Sequence, residues 1–270
     1  MLRRVADGVV VHESTFCQSN AVVVEGSRGV LVIDAGVHET ELECLADDLR
    51  AADREVVAAF STHPHWDHLL WHPALGAPPR WATALGASTA RARLAGAIDR
   101  ARFGIPDDVP FELMGDMTGL PQDAEELPWD GPRVRIVEHR AHTAGHAALL
   151  IEDLGVLVAG DMLSDVFVPM LDLRDAADPL ADYADALDLL EDAAAGVDAV
   201  IPGHGSVGGA GDLRSRVELD RAYVRALADG AEPDDPRIGP EARPGWEFVA
   251  DVHARQAAVL AERRAGGGGA

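Results

Sequence analysis

Short apolar runs alternate along this chain with longer segments in which apolar residues recur at helical spacing. The runs, rich in Val, Leu and Ile, predict β-strands at 9–11, 22–25, 30–34, 56–62, 134–139, 147–152, 156–161 and 197–201. The helical spacing predicts helices at 40–52, 179–195, 212–229 and 246–264. Strands interleaved with helices are typical of two packed sheets covered by helices on both outer faces. We therefore expect an α/β fold with four layers, an αββα sandwich.

The segment 74–131 is less regular than its surroundings. It contains several prolines and an arginine-rich helical stretch at 87–103. We expect residues 1–264 to form a single domain in which 74–131 is an insertion that acts as a lid or selects the substrate, and residues 265–270 to form a disordered tail. Four arginines of this stretch are candidates for binding an anionic group, although a solvated helix face is the plainer interpretation: Arg91, Arg93, Arg100 and Arg102.

Candidate metal ligands are most concentrated in the run His63-Pro64-His65-Trp66-Asp67-His68, which follows a predicted strand. Its three histidines and one aspartate can all bind a divalent metal ion. The H-x-H-x-D-H spacing does not fit one face of a helix, where ligands recur at i and i+4, and Pro64 excludes an ordinary strand. A loop can turn two of these side chains toward one point and two toward another. The spacing therefore favours two metals over one.

Further candidate ligands follow later in the chain, each where a predicted strand gives way to a loop. They lie in the segments 141–146 (A-H-T-A-G-H), 159–161 (A-G-D) and 201–205 (I-P-G-H-G). Residues at strand ends are held by a rigid scaffold along the edge of a sheet. The sequence therefore predicts that these segments converge with the H-x-H-x-D-H motif on one site.

Together these motifs resemble those of the metallo-β-lactamase superfamily of hydrolases. The similarity includes Ser19-Asn20, the segment 30–36 and the four motifs above, in the order of the family and spanning 19–205. Imidazole and carboxylate ligands without thiolate suit Zn2+, expected at two ions per chain, and permit Fe2+ or Mn2+. The resemblance implies a first metal held by His63, His65 and His142, a second held by Asp67, His68 and His204, and Asp161 bridging both.

The resemblance also assigns roles to residues beside the ligands. We expect His142 rather than His146 to bind metal, because the ligand of the family precedes a Thr-x-Gly step and lies a few residues before the next strand. Asp34 and His146 are expected to orient the ligands or their loop by hydrogen bonds instead. Asp67 is the expected catalytic residue, which orients the nucleophile and shuttles its proton.

Charge narrows the range of partners. The net charge is −23 and the pI about 4.6, whereas nucleic acids and anionic membranes bind basic surfaces. We therefore expect a small-molecule substrate, with no nucleic acid and no membrane partner, and a homodimer is left open.

No apolar run reaches the roughly 18–20 residues of a membrane span, and no apolar stretch of a secretion signal precedes the first predicted strand. These features predict a cytoplasmic protein.

The resemblance implies a binuclear zinc hydrolase in which a hydroxide bridging the metals cleaves an ester, thioester or lactone bond of a small molecule. The largely apolar segment 162–170 is expected to line an acyl-binding pocket. Two alternatives stay open. A persulfide dioxygenase of the same fold, an oxidoreductase, binds one iron through two histidines and an aspartate, a subset of the ligands present here. A β-lactamase-like amide hydrolase commonly clamps its substrate with a lysine, and this chain contains none.

Overall fold

The computed structural model describes residues 2–96, 98–103 and 105–267. Within these residues the chain forms two β-sheets, in each of which the strands lie in chain order. The first sheet contains seven strands: β1 (Arg3–Ala6), β2 (Val9–Glu13), β3 (Asn20–Glu25), β4 (Val30–Ile33), β5 (Val56–Phe60), β6 (Arg80–Ala82) and β7 (Thr118–Gly119). The second contains five: β8 (Val134–His139), β9 (His146–Ile151), β10 (Val156–Gly160), β11 (Ala199–Pro202) and β12 (Gly208–Gly209).

Strand direction brings the loops of interest to common edges. In the first sheet β1 to β4 pair antiparallel, whereas β4 to β7 pair parallel. In the second sheet β10 and β11 are parallel and the other pairs are antiparallel. Parallel neighbours have their carboxyl ends at the same edge of a sheet. The candidate ligands follow the carboxyl ends of β5 in the first sheet and of β8, β10 and β11 in the second. The three strands of the second sheet run in the same direction, so their loops lie at one edge of that sheet.

The strand β9 shows why the two sheets pack face to face. Ala147, Leu149 and Ile151 point into the core between the sheets, while Ala148 and Leu150 point to the opposite face. All five are buried, because this strand is covered on both sides. A continuous apolar run is the expected sequence of such a strand.

Helices cover the outer face of each sheet. The helix α1 packs on the first sheet through Leu42 and Leu45, and α5, α6 and α7 pack on the second through residues such as Leu187 and Val217. These layers confirm the predicted αββα sandwich. The helices are α1 (Glu39–Ala51), α2 (Trp66–Leu69), α3 (Ala84–Leu94), α4 (Arg100–Phe103), α5 (Pro179–Ala193), α6 (Ala210–Asp229) and α7 (Val249–Gly267).

The segment 74–131 contributes to the fold as well as to the surface. Its strands β6 and β7 extend the first sheet by parallel pairing, and the single helix predicted at 87–103 is two helices, α3 and α4. Strands of three and two residues are too short to show a period in the sequence, and Gly96, which follows α3, disfavours helix. The role of the segment in substrate selection stays a prediction.

The two ends of the chain also differ from expectation. The strand β1, which the apolar pattern did not predict, pairs with β2 and has largely exposed side chains. The helix α7 continues to Gly267, into the segment predicted as a disordered tail; residues 268–270 lie outside the described residues. No helix within the described part of the chain is long and apolar enough to span a membrane.

Candidate metal centre

Two groups of potential metal ligands come together from loops that follow or join strands. Within each group the ligand atoms all lie within 4.8 Å of one another. The structure thus assembles all seven predicted ligands into the two expected sets. The first group is His63, His65, His142 and Asp161, and the second is Asp67, His68 and His204.

The H-x-H-x-D-H motif supplies ligands to both groups because its backbone changes conformation halfway. His65 is extended, with φ −91° and ψ 149°, and α2 begins at the next residue. Asp67 and His68 therefore lie on a helical turn, not in a continuous loop. The change from extended to helical backbone separates the two histidines of the first group from the Asp-His pair of the second.

In the first group the ring nitrogens and one carboxylate oxygen face a common point. Nε2 of His63 lies 3.5 Å and Nε2 of His142 lies 3.4 Å from Oδ2 of Asp161. Nε2 of His142 is also 2.9 Å from Nδ1 of His65. Three imidazole nitrogens and a carboxylate oxygen are a ligand set that suits zinc.

Asp161 joins this group to the second. Its Oδ1 lies 3.2 Å from Nε2 of His68 and its Oδ2 lies 3.6 Å from Nε2 of His204. The remaining carboxylate of the second group, that of Asp67, lies 3.2 Å from Nε2 of His204 through its Oδ2. One carboxylate thus contacts both groups, as expected of a residue that bridges two cations.

Buried polar atoms without hydrogen-bond partners test whether these residues fit a metal. Nε2 of His63, Nε2 of His68 and Oδ1 of Asp161 are buried and make no hydrogen bond with any residue that the structure describes. Leaving such an atom unsatisfied costs about 1–3 kcal/mol, and all three point into the ligand groups. A bound divalent cation would satisfy each of them, so the residues present fit the metal use of the superfamily to which their motifs are similar.

Asp34 does not belong to either ligand group. It holds the H-x-H-x-D-H motif by hydrogen bonds to residues on the side away from the ligand groups. Its Oδ2 lies 2.9 Å from Nδ1 of His68, and its carboxylate accepts hydrogen bonds from the backbone N–H and the hydroxyl of Thr62. The Thr62 hydroxyl is also 3.0 Å from Nδ1 of His63. This arrangement matches the positioning role expected of Asp34.

Backbone carbonyls fix the rings of two further ligands. Nδ1 of His142 donates to the carbonyl of Met170 at 2.9 Å, and Nδ1 of His204 donates to the carbonyl of Cys17 at 3.0 Å. A carbonyl oxygen can only accept, so each ring carries its proton on Nδ1. Nε2 of both rings is therefore left as the lone pair available to a metal.

His146 lies behind the first group and makes a different contact. Its Nε2 accepts a hydrogen bond from the backbone N–H of Asp161 at 3.0 Å, and its ring stacks on that of His63 with centroids 4.9 Å apart. Nε2 of His146 is thus occupied by this hydrogen bond. His142 belongs to the first ligand group and His146 belongs to neither group; that His142 is the residue that binds metal stays a prediction.

Burial and the neighbouring carboxylates have opposite effects on the pKa of the candidate ligand histidines: burial lowers it and the carboxylates raise it. Burial lowers the pKa of His63 to about 4 and also lowers the pKa of His65 and of His142. These rings are neutral at pH 7, the form that binds metal. Burial also acts to lower the pKa of His68 and of His204, but the Asp161 carboxylate and its neighbours outweigh it and raise both values. The negative potential of the second group favours a cation.

A clasp made by Arg93 was not predicted. This α3 residue donates to the carbonyl of Pro64 at 3.0 Å and to the hydroxyl of Thr143 at 2.9 Å. It thereby links the loop of His63 and His65 to the loop of His142. The only feature of the sequence that drew attention to Arg93 was the arginine-rich composition of its segment, and that composition suggested an anion-binding site.

The other arginines of that stretch are also used within the protein. Arg91 donates to the carbonyl of Met117 at 3.4 Å, and Arg100 donates to the carbonyls of Pro106 and Val109 at 2.6 Å each. The side chain of Arg102 lies outside the described part of the chain. The contacts of these arginines therefore favour a structural role over anion binding.

The Ser19-Asn20 segment positions the last ligand. Asn20 donates through Nδ2 to the carbonyls of Pro202 and Gly205, at 2.9 Å each, so it spans the turn that carries His204. Cys17 and Gln18 precede it with positive φ values of 49° and 47°, a rare conformation for residues other than glycine. The family motif gave the position of Asn20, but the strained turn before it had no sequence signal.

The chain is similar to known proteins both in sequence and in fold. The sequence model of the metallo-beta-lactamase superfamily matches residues 14–204. That range includes the Ser19-Asn20 segment at one end and His204 at the other. No curated protein matches the chain.

Several solved structures share the fold at low sequence identity. A metallo-beta-lactamase family protein from Thermus thermophilus is 22% identical, with a TM-score of 0.66 over 95% of this chain and 94% of that chain. A metallo-beta-lactamase from Pontibacter korlensis is 18% identical, with a TM-score of 0.62 over 82% of this chain and 98% of that chain. The metallo-beta-lactamase FIM-1 from Pseudomonas aeruginosa, described in its mono-zinc form, is 18% identical, with a TM-score of 0.62 over 83% of this chain and 96% of that chain. Similarity at this level concerns the fold and does not assign a substrate or a number of metals.

Proposed function

Because the chain belongs to the metallo-beta-lactamase superfamily, we propose that it is a metal-dependent hydrolase that cleaves an ester, thioester or lactone bond of a small molecule. The proposal includes two zinc ions per chain. The first would be held by the three histidines of the first ligand group and the second by the other group, with Asp161 shared between them.

The completeness of the ligand set carries this proposal. Seven side chains form two adjoining groups, and three of their buried atoms have no hydrogen-bond partner. A structural zinc site surrounds one ion with four protein ligands, whereas two groups that share one carboxylate leave positions open for water and substrate. When bound, two divalent cations supply Lewis-acid polarisation of a carbonyl and lower the pKa of a water molecule to about 7.

The proposed proton acceptor is Asp67. Its Oδ2 faces Nε2 of His204 at 3.2 Å and Nε2 of His68 at 3.6 Å, which leaves Oδ1 for the proton of the attacking water. After the tetrahedral intermediate forms, Asp67 returns this proton to the departing group, an alkoxide for an ester or lactone and a thiolate for a thioester. The histidines keep fixed positions throughout, because the partners on their far nitrogens hold the rings.

A substrate panel on the zinc-loaded protein tests the proposal. Aryl esters, thioesters, lactones and a β-lactam would be assayed in parallel with Asp161→Ala purified in the same way, which controls for a contaminating hydrolase. We expect turnover of an ester, thioester or lactone by the wild type and none by the variant.

The other activities of the fold are outcomes of the same experiment. Turnover of the β-lactam alone would move the assignment to an amide hydrolase. Oxygen consumption on a persulfide by the iron-loaded protein, without hydrolysis of any panel member, would move it to an iron oxidoreductase. Either result would overturn the proposed function.

A further inference from the structure

Three aromatic rings lead from the second ligand group toward the surface. Phe167 packs edge-on against the ring of His204, with centroids 5.4 Å apart and an interplanar angle of 79°. Trp246 and Phe248 lie 5.0 Å and 5.8 Å from Phe167 by the same measure. These three side chains, named the aromatic shelf, connect a candidate metal ligand with solvent.

Exposure increases along the aromatic shelf. Phe167 is 9% exposed, Trp246 is partly buried and Phe248 is 42% exposed. Within the described residues only Leu85 and Leu189 are large apolar side chains with comparable exposure. An aromatic ring in water forgoes the free energy that burial would give it, and exposed apolar surface next to a group of candidate metal ligands is available for a ligand contact.

Hydrogen bonds hold the aromatic shelf in place from two sides. Arg237 donates to the carbonyl of Phe167 at 2.9 Å, and Gln256 of α7 donates to the carbonyl of Pro169 at 2.8 Å. Arg243 donates to Oε1 of Gln18 at 2.6 Å, which fastens the segment of Trp246 to the loop beside His204. A surface fixed in this way needs little ordering when a ligand binds.

The orientation of the rings indicates what kind of group fits. Trp246 and Phe248 are stacked with an interplanar angle of 28°, while Phe167 stands at 86° to Trp246 and at 71° to Phe248. This corner offers a flat ring one face for stacking and one edge for a T-shaped contact, the two arrangements that aromatic pairs prefer. A linear alkyl group gains neither contact.

Two of the three side chains of the aromatic shelf lie outside the part of the chain that matches the family. Trp246 and Phe248 lie beyond residue 204, where the family match ends. Building on the proposed hydrolase function, we propose that the aromatic shelf binds an aryl group of the substrate. The substrates are then esters or thioesters that carry an aromatic ring a few bonds from the carbonyl.

Three esters that differ only in the position of a phenyl ring test this inference. Ethyl phenylacetate places the ring on the acyl side, benzyl acetate places it on the leaving side, and ethyl acetate lacks it. The variants Phe248→Ala and Trp246→Ala are compared with Leu189→Ala, which truncates an equally exposed side chain on α5. Thermal unfolding of each variant checks that the fold is retained.

We expect the wild type to prefer one aryl ester over ethyl acetate, and each aromatic variant to raise KM for that ester about tenfold. The kcat of the aryl ester, all constants for ethyl acetate and the Leu189→Ala enzyme should change little. Equal losses on aryl and alkyl esters, or no loss on either, would overturn the inference. The side that carries the preferred ring identifies the part of the substrate on the shelf.

Ligand binding separates failure of the shelf from failure of the proposed hydrolase function. If the wild type hydrolyses none of the three esters, titration of the protein with phenylacetate and acetate, followed by NMR, decides the inference alone, while the panel of esters, thioesters and lactones decides the hydrolase proposal. Phenylacetate should bind more tightly than acetate in the wild type and lose that advantage in Phe248→Ala. Equal binding of the two anions by the wild type would contradict it.

Discussion

The backbone N–H of Asp161 donates a hydrogen bond to Nε2 of His146 at 3.0 Å. The same aspartate faces Nε2 of His142 through its side chain, at 3.4 Å. The two histidines lie four positions apart in the chain and contact different parts of Asp161. His146 contacts its backbone N–H, and His142 faces its side-chain carboxylate.

The first prediction separates these two histidines. His142→Ala should lose one metal equivalent and nearly all activity, because a ligand atom is removed. His146→Ala should still take up two equivalents at saturating zinc, with affinity lower by about 10- to 100-fold, because it loses only a positioning contact. Metal analysis after dialysis measures both; the reverse order of losses would show that His146 is the ligand.

The second prediction concerns the bridging carboxylate. Asp161→Ala should lose bound metal and activity together, since two cations without a shared carboxylate repel each other. Met170→Ala should keep its metal, because His142 binds the backbone carbonyl of Met170 and not its side chain, and should change KM or substrate ranking instead. Metal content and steady-state kinetics in one buffer check the pair. Full occupancy and normal turnover in Asp161→Ala would refute the bridging role.

The third prediction tests the Arg93 clasp. Arg93→Met removes two hydrogen bonds that link the loops of the first ligand group, so we expect zinc affinity to fall by about 10- to 100-fold. Arg91→Met is the matched control, since Arg91 lies on the same helix and donates only to Met117. Competition with a chromophoric chelator measures the affinities. Equal affinities in the two variants would show that the clasp has no role in metal binding.

The sequence alone predicts those elements that a local residue pattern marks. It does not predict elements that depend on contacts with distant parts of the chain. The apolar run of β9 and the helical spacing of α1 are local patterns that identify their elements directly. The strand β6 pairs with the edge of β5, and β7 pairs with β6 in turn. Both depend on pairing with a distant part of the chain, so no local pattern marks them.

The same distinction applies to the residues of the candidate site. The seven candidate ligands could be named from their motifs, because metal chemistry restricts which residue types can serve there. The contacts of Arg93 and Trp246 with the site depend on how distant segments fold back onto it. Neither residue belongs to a motif, and long-range packing of this kind leaves no periodic trace in the sequence.

The fourth prediction concerns stability at some distance from the ligands. Arg237 is buried and pairs with Asp220 at 2.6 Å and Asp235 at 2.7 Å. Arg237→Met leaves two buried carboxylates without their cation and should lower the free energy of unfolding by about 3–5 kcal/mol.

Arg221→Met provides the control for that loss. Arg221 also pairs with two carboxylates, those of Asp188 and Glu191, but both are largely exposed, so its removal should cost at most about 1 kcal/mol. Urea unfolding of the metal-free chains compares the variants. A loss in Arg237→Met no larger than that in Arg221→Met would contradict the importance of the buried cluster.

Zinc titration of the metal-free protein, with hydrolysis of 4-nitrophenyl acetate as the readout, tests the central claim most directly. If the two ligand groups each hold one ion and act together, the rate should rise with added zinc and reach its plateau at two equivalents per chain. A plateau at one equivalent would contradict the two-metal site, and a rate that does not depend on zinc would contradict the metal-dependent hydrolase itself.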